Sequence, residues 1–150
     1  MLGRRGLTLT ELVITIAIVG LLAVLVGPNL GRWIQHYRLR GAVREIVSKM
    51  ELAKIKALKY NLEYRIAFNT DNGTYWIERG NRADAPGLWA SEGGIFEVPR
   101  QIPFDVNVSS MQFNPDGTAS SGTVTIGRTK EEHYTITVNT TTGKITAERH

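Results

Sequence analysis

Glu11 is the residue whose type and position most need a chemical explanation, because it is an acid inside a long apolar run, 7–27. A carboxylate in such a segment is normally paired or close to water. With Thr8 it forms a capping-box pattern, in which Glu11 reaches back to the Thr8 N–H at the start of a helix. Alternatively, a cut between Gly6 and Leu7 would create an amino group near Glu11, and the two charges would pair within the chain or between neighbouring subunits. The residues alone leave both roles open.

No other group of residues in the sequence has the spacing of a catalytic or metal site. The histidines, His36, His133 and His150, form no zinc-binding motif. The sequence contains no cysteine, no nucleophile elbow and no glycine-rich phosphate loop. Asp71 and Asp116 each offer an oxygen suited to calcium, but both stand in turn sequences, where an aspartate usually bonds its own backbone. We therefore predict no enzyme activity, no metal and no cofactor.

The segment that contains Glu11 has the length and composition of a membrane-spanning helix. Fifteen of the 21 residues at 7–27 are Ala, Val, Ile or Leu. In helical form they extend about 31 Å, close to the thickness of bilayer hydrocarbon. The run is longer than the apolar core of a signal peptide and lacks a small-x-small cleavage site at its far end. We predict a transmembrane helix at 7–28, preceded by a short basic segment at 1–6. Arginines flank both ends, so charge alone does not orient the helix.

Pro28 follows the apolar run, and we expect it to bend or loosen the helix without necessarily ending it. Beyond it, apolar residues recur at three- and four-residue steps as far as Tyr60. This period predicts an amphipathic helix over 29–60, with one face packed on the rest of the chain. The expected apolar positions are Leu30, Trp33, Ile34, Tyr37, Gly41, Ile46, Val47, Met50, Ala53, Ala57 and Leu58.

The amphipathic segment is strongly basic. It contains eight Lys or Arg and two Glu, which leaves +6, whereas the whole chain carries +4. A solvated face opposite the packed one is the favoured interpretation. Contact with anionic lipid head groups and nucleic-acid binding are the alternatives, and DNA is not favoured because no aromatic row accompanies the charges. The candidates for contact with an anionic partner are Arg32, Arg38, Arg40, Arg44, Lys130 and Lys144.

From Asn61 onward the pattern changes to short strands separated by turn residues, which predicts a β domain over 61–150. Asp71-Asn72-Gly73 is a hairpin signal. The segment 80–94 is rich in Gly, Asn, Asp and Ala, and we expect a loop that contains Trp89. The domain should be an antiparallel sheet of roughly seven strands with one face on the helix. Strand character is found at 64–68, 74–78, 95–98, 104–108, 111–113, 123–126, 134–138 and 144–147.

The N-terminal residues resemble the signal of type IV pilins and pseudopilins. The basic leader, Gly6, the hydroxyl-flanked Glu11, the uninterrupted apolar helix and Pro28 together carry the resemblance. It implies that a prepilin peptidase cuts after Gly6 and methylates the new terminus, Leu7, where the family usually has Phe. It also implies that Glu11 meets the N-terminal amine of a neighbouring subunit, that Pro28 bends the helix and that the N-terminus is cytoplasmic.

The C-terminal residues are similar to the GspH/FimT branch of that family. The similarity rests on Met111-Gln-Phe113-Asn-Pro-Asp-Gly117, two alternating strands and the closing turn Thr142-Gly143-Lys144-Ile145. It implies an α+β, pilin-like fold, in which a long N-terminal helix with a transmembrane half and an amphipathic half packs on an antiparallel β-sheet domain.

The resemblance also implies a function and a location. We expect a minor pseudopilin, a structural subunit of a type II secretion pseudopilus. The alternative is a FimT-like minor pilin of a type IV pilus that binds DNA for uptake. Either protein would cross the bacterial inner membrane once and place its C-terminal domain in the periplasm. The expected partners are prepilin peptidase, other pseudopilins or pilins in a filament, and inner-membrane lipid.

Overall fold

The computed structural model describes residues 8–80, 87–127 and 132–150, and within the helix it leaves out the side chains of 24–30 and 32. The chain divides into two compact units, Met1–Tyr37 and Arg38–His150. One helix, α1 (Leu9–Tyr60), begins in the first unit and ends in the second, and Pro28 lies inside it. The predicted leader, 1–6, and both residues of the predicted cleavage site, Gly6 and Leu7, lie outside the described residues.

The second unit combines the end of α1 with short antiparallel strands. After Tyr60, Asn61 takes a φ of 53°, a left-handed conformation common just past a helix end. The described ranges contain eight strands: β1 (Tyr64–Asn69), β2 (Thr74–Gly80), β3 (Trp89–Glu97), β4 (Phe104–Val106), β5 (Ser110–Phe113), β6 (Thr123–Gly127), β7 (His133–Val138) and β8 (Ile145–Arg149).

The strands form two four-stranded sheets, so the prediction of one sheet of roughly seven strands was wrong. The first sheet has the order β3-β2-β1-β5 and the second has the order β4-β6-β7-β8. Consecutive strands pair in the hairpins β1–β2 and β6–β7, but β4 joins β6 while β5 returns to β1. The chain therefore crosses between the sheets three times, at β3–β4, at β4–β5 and at β5–β6. Strand patterns mark each segment separately and do not reveal such crossings.

Strand β3 corrects the loop expected at 80–94. It begins at Trp89, whose pairing partner is Gly80 on β2. Trp76 pairs with Ile95 and Glu78 pairs with Ser91, so three residues of β3 lie opposite one residue of β2. A bulge of this kind lets glycine-rich sequence continue a strand. The loop prediction failed because β3 owes its structure to pairing with β2 rather than to its own strand propensity.

The core lies between the second half of α1 and both sheets. Phe113 on the first sheet and Ile136 on the second are fully buried in the same cluster. The helix positions that are buried there are Leu39, Ala42, Val43, Ile46, Met50, Ala53 and Ala57. Five residues that the period placed on the packed face are exposed instead: Trp33, Ile34, Tyr37, Gly41 and Leu58. The helical period finds a repeat of apolar residues, but the position of the sheets decides which side is covered.

Two turns of the GspH/FimT-like sequence meet in this unit. Gly143 has a φ of 57°, and a Cβ there would lie 2.7 Å from the Gly117 carbonyl oxygen. Ala119 N–H donates to Thr140 O (2.8 Å), and Lys54 Nζ on α1 donates to Thr142 O (3.2 Å). The two glycine turns are thus packed backbone to backbone, with the end of the helix beside them.

Candidate functional site

The start of α1 is held by the hydrogen bonds that the Thr8–Glu11 spacing predicts. Thr8 N–H donates to Glu11 Oε2 (2.9 Å), and the Thr8 hydroxyl donates to the same oxygen (2.9 Å). In return, Glu11 N–H donates to Thr8 Oγ1 (3.3 Å). These bonds satisfy backbone donors that have no partner within the helix. The capping-box prediction is confirmed. Both bonds to the carboxylate end on Oε2, and Oε1 accepts none from the described residues.

The helix that this cap begins is apolar on every side. Apolar side chains at more than half exposure are distributed around the whole circumference rather than along one stripe. They are Leu9, Leu12, Val13, Ile14, Ile16, Ile18, Val19, Leu21 and Leu22. Among the described residues, no helix has both the length and the apolar character needed to cross a bilayer. The predicted span, 7–28, includes Leu7 and the side chains at 24–28, which lie outside the described set.

The cations proposed for an anionic partner fall into separate environments. Arg38 Nη1 donates to Gln101 Oε1 (2.5 Å). Arg40, Arg44 and Lys144 are exposed, and none of the three forms an ion pair with a described residue. The remaining two candidates cannot be placed: the side chain of Arg32 and all of Lys130 lie outside the described residues.

Three lysines of the basic helix contact residues of the β domain. Lys49 Nζ lies 4.0 Å from the centre of the Phe96 ring, and Lys54 bonds Thr142 as noted above. Lys56 Nζ forms an ion pair with Glu92 (2.6 Å). A solvated face was expected for this part of the helix, and at these positions the expectation was wrong. No local sequence pattern predicts these contacts, because Phe96 and Glu92 lie on β3, far from the helix in the sequence.

Glu92 is the centre of a polar cluster at the end of α1 that the sequence did not suggest. Its Oε2 accepts a hydrogen bond from the Tyr64 hydroxyl (3.0 Å), and Arg79 lies 3.9 Å away. The hydrogen bond from Lys56, followed by that from Tyr64, lowers the pKa of Glu92 despite partial burial. Burial, and then the bond to Glu92, raise the pKa of Tyr64 to about 12.

The lowered pKa of Glu92 predicts an acid-dependent loss of stability. A carboxyl group with a depressed pKa in the folded state stabilises the fold above its unfolded pKa, about 4.3, and loses that contribution as the pH falls through the folded value. Glu92→Gln should therefore lower the melting temperature at neutral pH and reduce its decline between about pH 5 and pH 3. Thermal unfolding of the full chain at several pH values measures both effects.

The matched control for that experiment is Glu97→Gln. Glu97 is on the same strand, is about half exposed, and its ion-pair partner Arg100 is almost fully exposed. Such a pair contributes little to stability, so the variant should follow the parent chain at every pH. If the melting temperature of Glu92→Gln declined in acid as much as that of the parent chain, the role assigned to Glu92 would be contradicted.

The histidines and turn aspartates do not come together. His133 and His150 stack at 5.2 Å between ring centres at the open end of β7 and β8, and His36 is in the other compact unit. Asp116 Oδ1 accepts hydrogen bonds from the backbone and hydroxyl of Thr118. Within the described ranges, no group of three His, Cys, Asp or Glu side chains is arranged to hold a metal ion.

Comparisons with known proteins place this helix-and-sheet architecture in a family. The model of the family "Type II transport protein GspH" matches residues 42–142. The type II secretion system protein H of Xanthomonas campestris pv. campestris is 24% identical over 141 residues, which cover 94% of this chain and 81% of that protein.

Solved structures with low sequence identity share the fold. The minor pseudopilin EpsH from the type 2 secretion system of Vibrio cholerae superposes with a TM-score of 0.62 at 11% identity, over 74% of this chain and 96% of EpsH. The type IV minor pilin FimU of Pseudomonas aeruginosa gives a TM-score of 0.58 at 16% identity, over 76% of this chain and 90% of FimU. The expected pilin-like α+β fold is confirmed. Since the family model matches more than half of its residues, the chain belongs to the GspH family of type II transport proteins.

Proposed function

We infer that this minor pseudopilin of a type II secretion system is anchored in the inner membrane and joins a periplasmic pseudopilus through the N-terminal half of α1. The observation that carries the proposal is the first part of the helix, where apolar side chains are exposed on all sides behind a capped acidic start. An all-round apolar helix needs lipid or other helices to cover it. Lipid before assembly and neighbouring subunits after assembly would provide that cover.

Glu11 has a carboxylate oxygen, Oε1, that accepts no hydrogen bond from the described residues. Thr8 uses only Oε2, so Oε1 is available to an amino group while the cap stays intact. If the chain is cut after Gly6, the amine of Leu7 on a neighbouring subunit supplies that group. The two roles considered for Glu11 are therefore compatible: it caps its own helix and pairs with the next one.

Processing by a prepilin peptidase is the step that the proposal requires first. Co-expression with such a peptidase should remove Met1–Gly6 and add one methyl group, about 14 Da, to the new terminus at Leu7. Intact mass spectrometry of the purified chain measures both changes. Gly6→Val should block the cut, and Gly3→Val in the same leader should leave it unaffected. A full-length, unmodified chain beside a peptidase that processes another pseudopilin would contradict the proposal.

The role proposed for the β domain is structural rather than catalytic, in keeping with the family. Its partners are the other pseudopilins of the filament. Prepilin peptidase and inner-membrane lipid are the further partners that we propose. DNA is less favoured, because Lys49, Lys54 and Lys56 are engaged within the domain.

A further inference from the structure

A cleft with a tryptophan in its wall lies beside the first sheet, and none of the described residues that line it belongs to α1. It has a volume of about 440 Å³ and lies where the β1–β2 turn approaches the connection from β4 to β5. Trp76 on β2 lines it together with Asn69, Asp71, Asn107 and Ser109. The volume falls within the range of about 300–1,000 Å³ that is usual for small-molecule sites.

A chain of side-chain contacts holds the indole of Trp76 in place. Its Nε1 donates to Glu78 Oε1 (2.8 Å), and Glu78 Oε2 accepts a hydrogen bond from Arg65 Nε (2.5 Å). The Arg65 guanidinium in turn lies 4.1 Å from the centre of the Trp89 ring. Because this chain of contacts fixes the ring before any ligand arrives, binding against it costs little side-chain entropy.

Polar side chains of the cleft have hydrogen-bonding groups that bond to no described residue. Asn69 Oδ1 accepts from the backbone of Asp71 and Asn72, and Asn107 Oδ1 accepts from Thr123 N–H (2.7 Å). Both amides therefore have their oxygen fixed, and neither NH2 group donates a hydrogen bond to a described residue. The Asp71 carboxylate accepts no hydrogen bond from a described residue. Two amide donors and one carboxylate acceptor thus surround the aromatic wall.

This set of groups selects the chemistry of the ligand. Asp71 is the single charged residue among the described residues that line the cleft, so a phosphate or another anion would meet repulsion and no counter-charge. The apolar face of a pyranose ring packs on an indole, and its hydroxyls donate to a carboxylate and accept from amides. We propose that the Trp76 cleft binds a neutral sugar ring of a glycan. This function is independent of filament assembly through α1.

The test uses the full chain in a detergent without a sugar head group. The probes are two neutral tetrasaccharides, one of N-acetylglucosamine and one of glucose, and the readout is the indole N–H signal of Trp76 in a ¹⁵N–¹H spectrum. At least one probe should shift that signal with an affinity of about 1 mM or better. The indole signal of Trp89, outside the cleft, should stay in place.

Paired variants connect the shift to the cleft. Asp71→Asn removes the charge and replaces one of the two acceptor oxygens, neither of which accepts a hydrogen bond from a described residue, by an NH2 donor. Asn107→Asp keeps the bond to Thr123 while removing the NH2 donor. Each should weaken binding about tenfold, whereas Asp105→Asn, an exposed aspartate on β4, should not. The proposal is overturned if neither probe shifts Trp76 at about 10 mM, or if both cleft variants bind like the parent. Loss of the shift on adding EDTA would also overturn it, because the cleft would then be a cation site.

Discussion

Glu11→Ala should prevent this chain from entering a pseudopilus while leaving the β domain folded. The substitution removes the carboxylate that we propose to meet the Leu7 amine of a neighbouring subunit. An unpaired charge costs about 2.5–3.5 kcal/mol at the centre of a membrane helix and less towards its ends, so we expect a loss of incorporation of up to about 100-fold. Co-purification of the tagged chain with other pseudopilins from cross-linked cells measures incorporation. Resistance of the Arg38–His150 unit to proteolysis reports its fold.

Glu11→Gln separates the two roles of the residue. Glutamine still reaches the Thr8 N–H, so it preserves the cap, but it has no charge for an amine. We expect Glu11→Gln to fail in assembly as Glu11→Ala does. Full incorporation of Glu11→Gln would mean that Glu11 is only a cap. Normal incorporation of Glu11→Ala would remove Glu11 from assembly altogether.

Phe113→Ala should cost about 3–5 kcal/mol of the free energy of unfolding. Phe113 is fully buried on β5, opposite Tyr64, in the cluster that joins α1 to both sheets. Its removal leaves a cavity that this well-packed cluster fills only in part. Since small domains have only about 5–15 kcal/mol in total, much of the folded population should be lost at growth temperature. Urea unfolding of the full chain, followed by circular dichroism of the sheets, measures the change.

Two further variants are controls for that measurement. Phe113→Leu keeps most of the apolar volume and should cost about 1 kcal/mol. Ile95→Ala changes an apolar side chain on β3 that is 71% exposed, so its effect should stay within about 0.5 kcal/mol. A loss for Phe113→Ala as small as that of Ile95→Ala would show that this cluster does not hold the unit together.

Features that depend on neighbouring residues were predicted well from the sequence. The Thr8–Glu11 cap involves a three-residue spacing and is present with the expected bonds. The helix ends at Tyr60, where the apolar repeat stops. The turn at Asp71 joins β1 to β2 because Asn69 and its neighbours bond their own backbone. In each case the partners lie within a few positions of one another, so the chain forms the contact whatever surrounds it.

Features that depend on distant partners were predicted poorly. The strand patterns were found, yet their division into two sheets was not, because β5 pairs with β1 and β4 pairs with β6. The first part of β3, 89–94, was assigned to a loop because its glycines conceal a strand that pairing with β2 stabilises. The Trp76 cleft was not anticipated either: its lining combines β1, β2, the turn between them, the end of β4 and the connection to β5.

In the basic segment of α1, the net charge and the apolar period follow from the sequence, whereas the partners of the charged side chains depend on the fold. The residues of 29–60 and their order were enough to establish a net charge of +6 and the apolar period of this segment. The partners of those charged side chains are formed only in the packed domain. Arg38 bonds Gln101, Lys54 bonds the Thr142 carbonyl and Lys56 pairs with Glu92. These partners lie 36 to 88 positions away along the chain. Charge and periodicity are properties of a short segment, whereas a partner depends on which strand or turn the folded domain brings against the helix.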